Sequence, residues 1–219
     1  MVRYFETTSL FHYTWDQVAQ GYWKRYPNPE STHVLSEDTV YREIRGHKLF
    51  TKRLLTKTNR VPKWGERFVS SSKVKIVEES IVDPKEKILV TYTRNLGYAK
   101  VMSVVEKVTY RVSPDNPNWT LAERSAWIDS QVFGFGRAIQ AFGLERFRKN
   151  CQKMVGGFNC VLAAMYPQAT AAGLSSHSPG GNPASPIKKE TLKDAAKKAT
   201  DLAKAKAGPI YASCQPSET

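Results

Sequence analysis

Arg53, Leu55 and Lys57 stand two residues apart in the stretch Arg53-Leu-Leu-Thr-Lys-Thr-Asn-Arg-Val-Pro-Lys-Trp64. Leu49 to Lys57 holds no Gly or Pro and reads as a strand, which puts these three side chains on one face. A core face would not carry two cations, and a solvent face has no need of Leu49 and Leu55 beside them. Two arrangements fit: an apolar cavity with an anion at one end, or a twisted edge strand kept soluble by its charges. Asn59 to Trp64 reads as a loop, because Pro62 cannot donate to a ladder and pushes Val61 out of helical space. Arg60, Lys63 and Trp64 give that loop cations and an amphipathic ring, a composition that suits a lipid headgroup interface. A polar row with two further cations, Arg146, Asn150 and Lys153, stands at steps of 4 and 3 far along the chain.

Other chemistries find little footing. His12, His33, His47 and His177 lie apart, with no Cys or acid at ligand spacing and no Ser, His and Asp set. Gly134-Phe-Gly136 lacks the third glycine of a dinucleotide fingerprint. No catalytic residue, metal site or cofactor is therefore expected. The three cysteines, Cys151, Cys160 and Cys214, form neither a disulfide framework nor a metal-ligand spacing. No run of 18 apolar residues occurs, so no spanning helix is expected. The N-terminus, Met-Val-Arg-Tyr-Phe-Glu, carries no apolar signal core.

The elements that must position the cations follow from periodicity. Residues 2 to 10 are aromatic and Thr-rich and read as a first strand. Thr14 caps a helix from Trp15 to Arg25 with Trp15, Val18, Ala19 and Tyr22 on one face, stopped by Tyr26-Pro27-Asn28-Pro29. That turn leaves Arg25 at a helix C-terminus, where a cation is favoured, with His33 just beyond. Strands are expected at Val34 to Ile44, Leu49 to Lys57, Val74 to Val82, Ile88 to Thr93, Val101 to Val112 and Trp119 to Ile128. Their short, turn-rich links favour an antiparallel meander of about seven strands. Met102, Val104, Val108, Tyr110 and Val112 share one parity, interrupted by Glu106, as in a sheet with one buried face.

A long helix is expected from about Phe133 to Tyr166. Phe147, Cys151, Met154, Phe158, Leu162 and Met165 form its apolar stripe, with the Arg146, Asn150 and Lys153 row about 100° round from it. Gly134, Gly136 and Gly143 each cost a helix about 1 kcal/mol relative to Ala, which places a break near Gly143. The organisation is then a domain over residues 1–168, a flexible linker over 169–187 rich in Ala, Gly, Ser and Pro, and a basic Ala/Lys-rich tail over 188–219, partly helical or disordered. Of the net charge of +13, +10 belongs to residues 1–168. The folded part therefore carries the basic surface, and an anionic partner, nucleic acid or lipid, is implied.

Arg25-Tyr-Pro-Asn-Pro-Glu-Ser-Thr-His33-Val-Leu, Arg53-Leu-Leu-Thr-Lys57, Pro62-Lys-Trp64 and Thr91-Tyr-Thr-Arg-Asn95-Leu together resemble the UPS/PRELI family, over roughly residues 1 to 167. The resemblance is to its PRELI branch. It implies an α+β fold in which a curved antiparallel sheet of about seven strands is gripped by a long C-terminal helix round a lipid cavity covered by a mobile loop. It implies transfer of phosphatidic acid across the mitochondrial intermembrane space in support of cardiolipin synthesis, with the lipid chemically unchanged. Carried over position by position, it assigns the phosphate to Arg25, His33, Arg53, Lys57, Arg60, Arg146, Asn150 and Lys153. Pro62, Lys63 and Trp64 would dock transiently on an anionic membrane. It also implies a partner, a small twin-cysteine helical-hairpin protein of the same space.

A basic nucleic-acid-binding module is the alternative that charge alone favours. It would want aromatic residues on a basic sheet face. Here the basic residues border apolar stripes instead, and no nucleic-acid partner is expected.

Overall fold

The computed structural model describes residues 2–58, 61, 63–69 and 71–167, without the side chains of Trp64 and Arg67. Arg60, Pro62 and the expected linker and tail lie outside the described residues. Seven strands form one antiparallel sheet: β1 (Arg3–Phe11), β2 (Val34–Arg45), β3 (Lys48–Thr58), β4 (Lys73–Asp83), β5 (Ile88–Asn95), β6 (Ser103–Val112) and β7 (Thr120–Asp129). Their order is β1-β7-β6-β5-β4-β3-β2. Strands β2 to β7 are a meander, as their short links require. Strand β1 pairs with the last strand, so the chain from β1 to β2 must cross the whole sheet. That crossing carries helix α1 (Trp15–Tyr22) and a 3-10 turn at Pro29–Ser31.

The crossing starts as the sequence leads one to expect. Gln17 N–H donates to the Thr14 hydroxyl, and Thr14 N–H donates to the Gln17 side chain, a reciprocal cap on α1. Helix α1 ends at Tyr22 rather than Arg25, and Arg25 follows in the turn beyond it. Trp15, Val18 and Tyr22 sink into a core with Phe11, Leu89, Tyr110, Phe158 and Leu162. His33 occupies the turn just before β2.

The long helix α2 (Gly136–Met165) lies across the inner face of the curved sheet and grips it, giving the α+β architecture expected. Two expectations about it are corrected. It starts after Phe133 and Phe135, which stay in the preceding turn, and it runs through Gly143 without a break. Packing explains the second point: a Cβ on Gly143 would lie 2.6 Å from Met102 Sδ and 3.1 Å from Ile128 Cγ2. The glycine is thus what lets the helix seat closely on β6 and β7, and that contact outweighs its weak helix propensity. Gly157 does the same at the far end, where a Cβ would meet the Asn28 side chain at 2.3 Å. Helix α2 is therefore clamped at one end on the sheet and at the other on the crossing segment. No helix among the described residues is long and apolar enough to cross a membrane.

Candidate functional site

A cavity of about 670 Å³ opens between α2 and the sheet. This lies within the roughly 300–1,000 Å³ usual for ligand sites. Val74, Ile76, Met102 and Val104 form its floor on the sheet, and Ile139, Phe142, Phe147 and Met154 its roof on α2. The segment after β3 supplies a third wall: Lys63–Phe68 is a 3-10 turn, not open loop, and its Gly65 and Phe68 line the cavity while Lys63 is exposed.

Five of the eight candidate phosphate ligands meet on this cavity: His33, Lys57, Arg146, Asn150 and Lys153. The sheet brings Lys57 by its inward parity on β3, and α2 brings the other three from its polar border. Burial, and then Lys57, Arg146 and Lys153, hold the His33 imidazole below its ordinary pKa. Three cations therefore act on His33 and disfavour its protonated form. Burial likewise lowers Arg146 from its usual value. Among the described residues neither Lys57 nor Lys153 has a carboxylate within ion-pair distance, and Lys57 lies 5.7 Å from the Tyr26 ring centroid. Apolar walls with uncompensated cations at one place are the requirement for an amphiphilic anion.

A family model described as the PRELI-like family matches residues 16–168. This chain belongs to the PRELI-like family. A Gallus gallus protein named PRELI domain-containing protein 1, mitochondrial, is 46% identical over 93% of this chain and 88% of its own. Protein UPS1, mitochondrial, from Saccharomyces cerevisiae is 30% identical over 74% of this chain and 94% of its own. Among solved structures, TTHA0849 from Thermus thermophilus matches with a TM-score of 0.52 at 14% identity, covering 74% of this chain and 99% of that one. The Zhui aromatase/cyclase from Streptomyces sp. R1128 matches with a TM-score of 0.51 at 13% identity, covering 79% and 99%. At such identities the likeness is one of fold alone.

In this PRELI-like chain the other candidate cations are placed differently. Arg53 shares the inner face with Lys57, as parity demands, but it is only 2% exposed and does not line the large cavity. It donates through Nε to Glu78 at 3.0 Å and pairs through a terminal nitrogen with Glu37 at 2.8 Å. Arg25 also pairs with Glu78, and the Tyr22 hydroxyl donates to the same carboxylate. Burial raises the Glu78 pKa, but Arg25 and Arg53 outweigh it and hold the carboxyl at about 2. Tyr22 is pushed far up, by burial first and then by Glu78. Arg25 nonetheless faces a small recess of about 50 Å³ that Lys57 also lines, so Lys57 stands between the two groups.

Sequence reasoning missed the acids of this interior. Glu78 sits directly opposite Arg53 in the β3–β4 register, on the inward parity with Ile76, Ser80 and Val82. The signal was an acid on an apolar parity, but only the register identifies its partner. Glu106, noticed as a break in parity, is answered by Arg124 from β7, an ion pair at 2.7 Å rather than an aligned hydrogen bond. Next to it Cys151 is a buried free thiol whose pKa burial pushes up to about 11. Among the described residues no group of three or more His, Cys, Asp or Glu gathers to hold a metal.

Proposed function

We propose that this chain is a lipid carrier that moves phosphatidic acid between mitochondrial membranes across the intermembrane space, supporting cardiolipin synthesis and leaving the lipid chemically unchanged. The single observation behind this reading is the apolar cavity of about 670 Å³ whose wall holds Lys57, Arg146, Asn150, Lys153 and His33 together. Each methylene of an acyl chain is worth about 0.8 kcal/mol on burial, so a carrier has to replace the bilayer with walls as apolar as Ile76, Val104, Ile139 and Phe142. A phosphomonoester carries up to about two negative charges near neutral pH. Lys57 and Lys153, with Arg146 and the Asn150 amide, answer it with charge-assisted bonds. Bulkier headgroups bring less charge and need more room at the same place.

The family resemblance supports the compartment and a partner of the small twin-cysteine helical-hairpin kind; the relatives above are named mitochondrial. A nucleic-acid module explains only the net charge, whereas the carrier reading also uses the apolar cavity on which Lys57 and Lys153 lie. Delipidated full-length chain should move fluorescent phosphatidic acid between vesicles faster than the serine or choline esters. The lipid recovered should have an unchanged mass. Equal rates for all three headgroups, or a product of altered mass, would overturn the reading.

A further inference from the structure

We propose that the β7–α2 loop, residues 130–135, is a membrane anchor of this chain, seating Phe133 in the headgroup boundary of an anionic bilayer beside the cavity. This rests on the carrier reading but names a surface that reading does not require. Gln131-Val-Phe-Gly-Phe135 contains no charge. Phe133 is 100% exposed and Phe135 44% exposed. Gly134, at φ 75°, takes the left-handed conformation that returns the chain to α2 after Phe133 and that a side chain would oppose. A phenyl ring held wholly in water adds nothing to the core, so folding does not account for its place.

The loop is tied to two of the segments that wall the cavity. Gln131 N–H donates to the Lys100 carbonyl at 3.1 Å, next to Val101 and Met102, which line the cavity. The Phe135 ring lies 6.0 Å from that of Phe68, another lining residue. The exposed charged side chains described on these segments and the first turn of α2 are Lys63, Glu66, Lys100 and Arg137, three cations to one acid. Apolar tips among cations match a bilayer of anionic headgroups. A bilayer is the occupant this surface fits: its exposed charges are three cations to one acid, and the cavity it adjoins is read as carrying a membrane lipid.

The test uses the full chain with Phe133→Ser and Phe133→Trp, flotation with phosphatidylcholine vesicles with and without phosphatidic acid, and calorimetric binding of monomeric dioctanoyl phosphatidic acid. Phe133→Ser should bind the acidic vesicles about tenfold more weakly and transfer lipid more slowly in proportion. Its uptake of the soluble lipid and its thermal unfolding should match the native chain, since Phe133 touches no core. Phe133→Trp should float as the native chain does. Unchanged flotation of Phe133→Ser would overturn the proposal, as would loss of soluble-lipid binding, which would place the residue's role in the cavity. A native chain that takes up the soluble lipid but never floats also overturns the anchor and leaves the carrier standing. Flotation that depends on Phe133 without uptake of any lipid would do the reverse.

Discussion

Two clusters of cations gather between this sheet and the segments packed across it, and they differ in what neutralises them. Arg25 and Arg53 converge on Glu78, with Glu37 and the Tyr22 hydroxyl completing the group. Lys57 and Lys153 have no such acid among the described residues, and they look into an apolar cavity beside Arg146 and Asn150. Burying a charge is tolerated when it is paired, so the first cluster is complete within the fold. The second has no such partner from the fold among the described residues. Residue type does not separate the two, since both are basic residues on apolar elements; the position of the acids does.

The largest effect should come from breaking the paired cluster. Glu78→Gln leaves two guanidinium groups buried around a neutral amide, and removing one partner of such a group costs about 3–5 kcal/mol. The expected result is a much lower midpoint in urea, and replacing Arg53 by Met in the same chain should recover part of the loss. A Glu78→Gln protein as stable as the native one would show that Arg25 and Arg53 find other partners. In the second cluster the sign of the trade reverses. Lys57→Glu should change the unfolding free energy measured in urea by no more than about 0.5 kcal/mol, as for a substitution that breaks no internal pair, yet lower phosphatidic acid transfer at least tenfold through the lost charge-assisted bond, about 1.5–3 kcal/mol. Transfer that survives Lys57→Glu would remove the anion site from the cavity.

The fold was largely legible because strands and helix obey periods of 2 and 3.6, and each expected strand is present within about two residues of its end. The same logic put Arg146, Asn150 and Lys153 on one border of α2, and the cavity gathers them. It faltered where contacts between distant residues decide. Gly143 reads as a break until Met102 and Ile128 are seen beneath it. Arg53 and Lys57 have the same parity, and only the pairing of Arg53 with Glu78 across β3 and β4 assigns one to the fold and the other to the cavity. Phe133 reads as helix although Gly134 and Gly136 weaken one there, because the break was placed at Gly143 instead of at the start of α2.

A smaller effect should appear in acid and sharpen the account of the paired cluster. The Glu78 carboxyl is held at about 2, below its usual value of 4.5. A carboxylate with a depressed folded pKa stabilises the fold fully above its unfolded pKa, and that contribution is lost as pH falls towards the folded one. Native stability minus that of Glu78→Gln should therefore be constant above about pH 5 and shrink between the two values. Other carboxylates titrate in both proteins and cancel in the difference. A difference that is flat down to pH 2 would mean that Glu78 is not the charge that joins the two arginines.

The smallest expected effect concerns the open cluster and is read at His33 itself. Burial comes first in lowering its pKa, and the fields of Lys57, Arg146 and Lys153 add to it. A bound phosphate would cancel much of that field while leaving the histidine no more exposed, so the imidazole should become easier to protonate. In proton NMR the His33 titration should move to higher pH when delipidated chain is loaded with dioctanoyl phosphatidic acid, with a His33→Asn variant identifying the signal. Loading with a zwitterionic choline ester of the same chain length should shift it less, because that headgroup brings no net charge. Affinity is a poorer readout than the NMR signal, since the phosphate itself titrates in the same pH range. A His33 pKa that stays in place, or falls further on loading, would mean that the anion does not sit among the three cations. The phosphate would then have to be sought nearer the recess that Arg25 and Lys57 share.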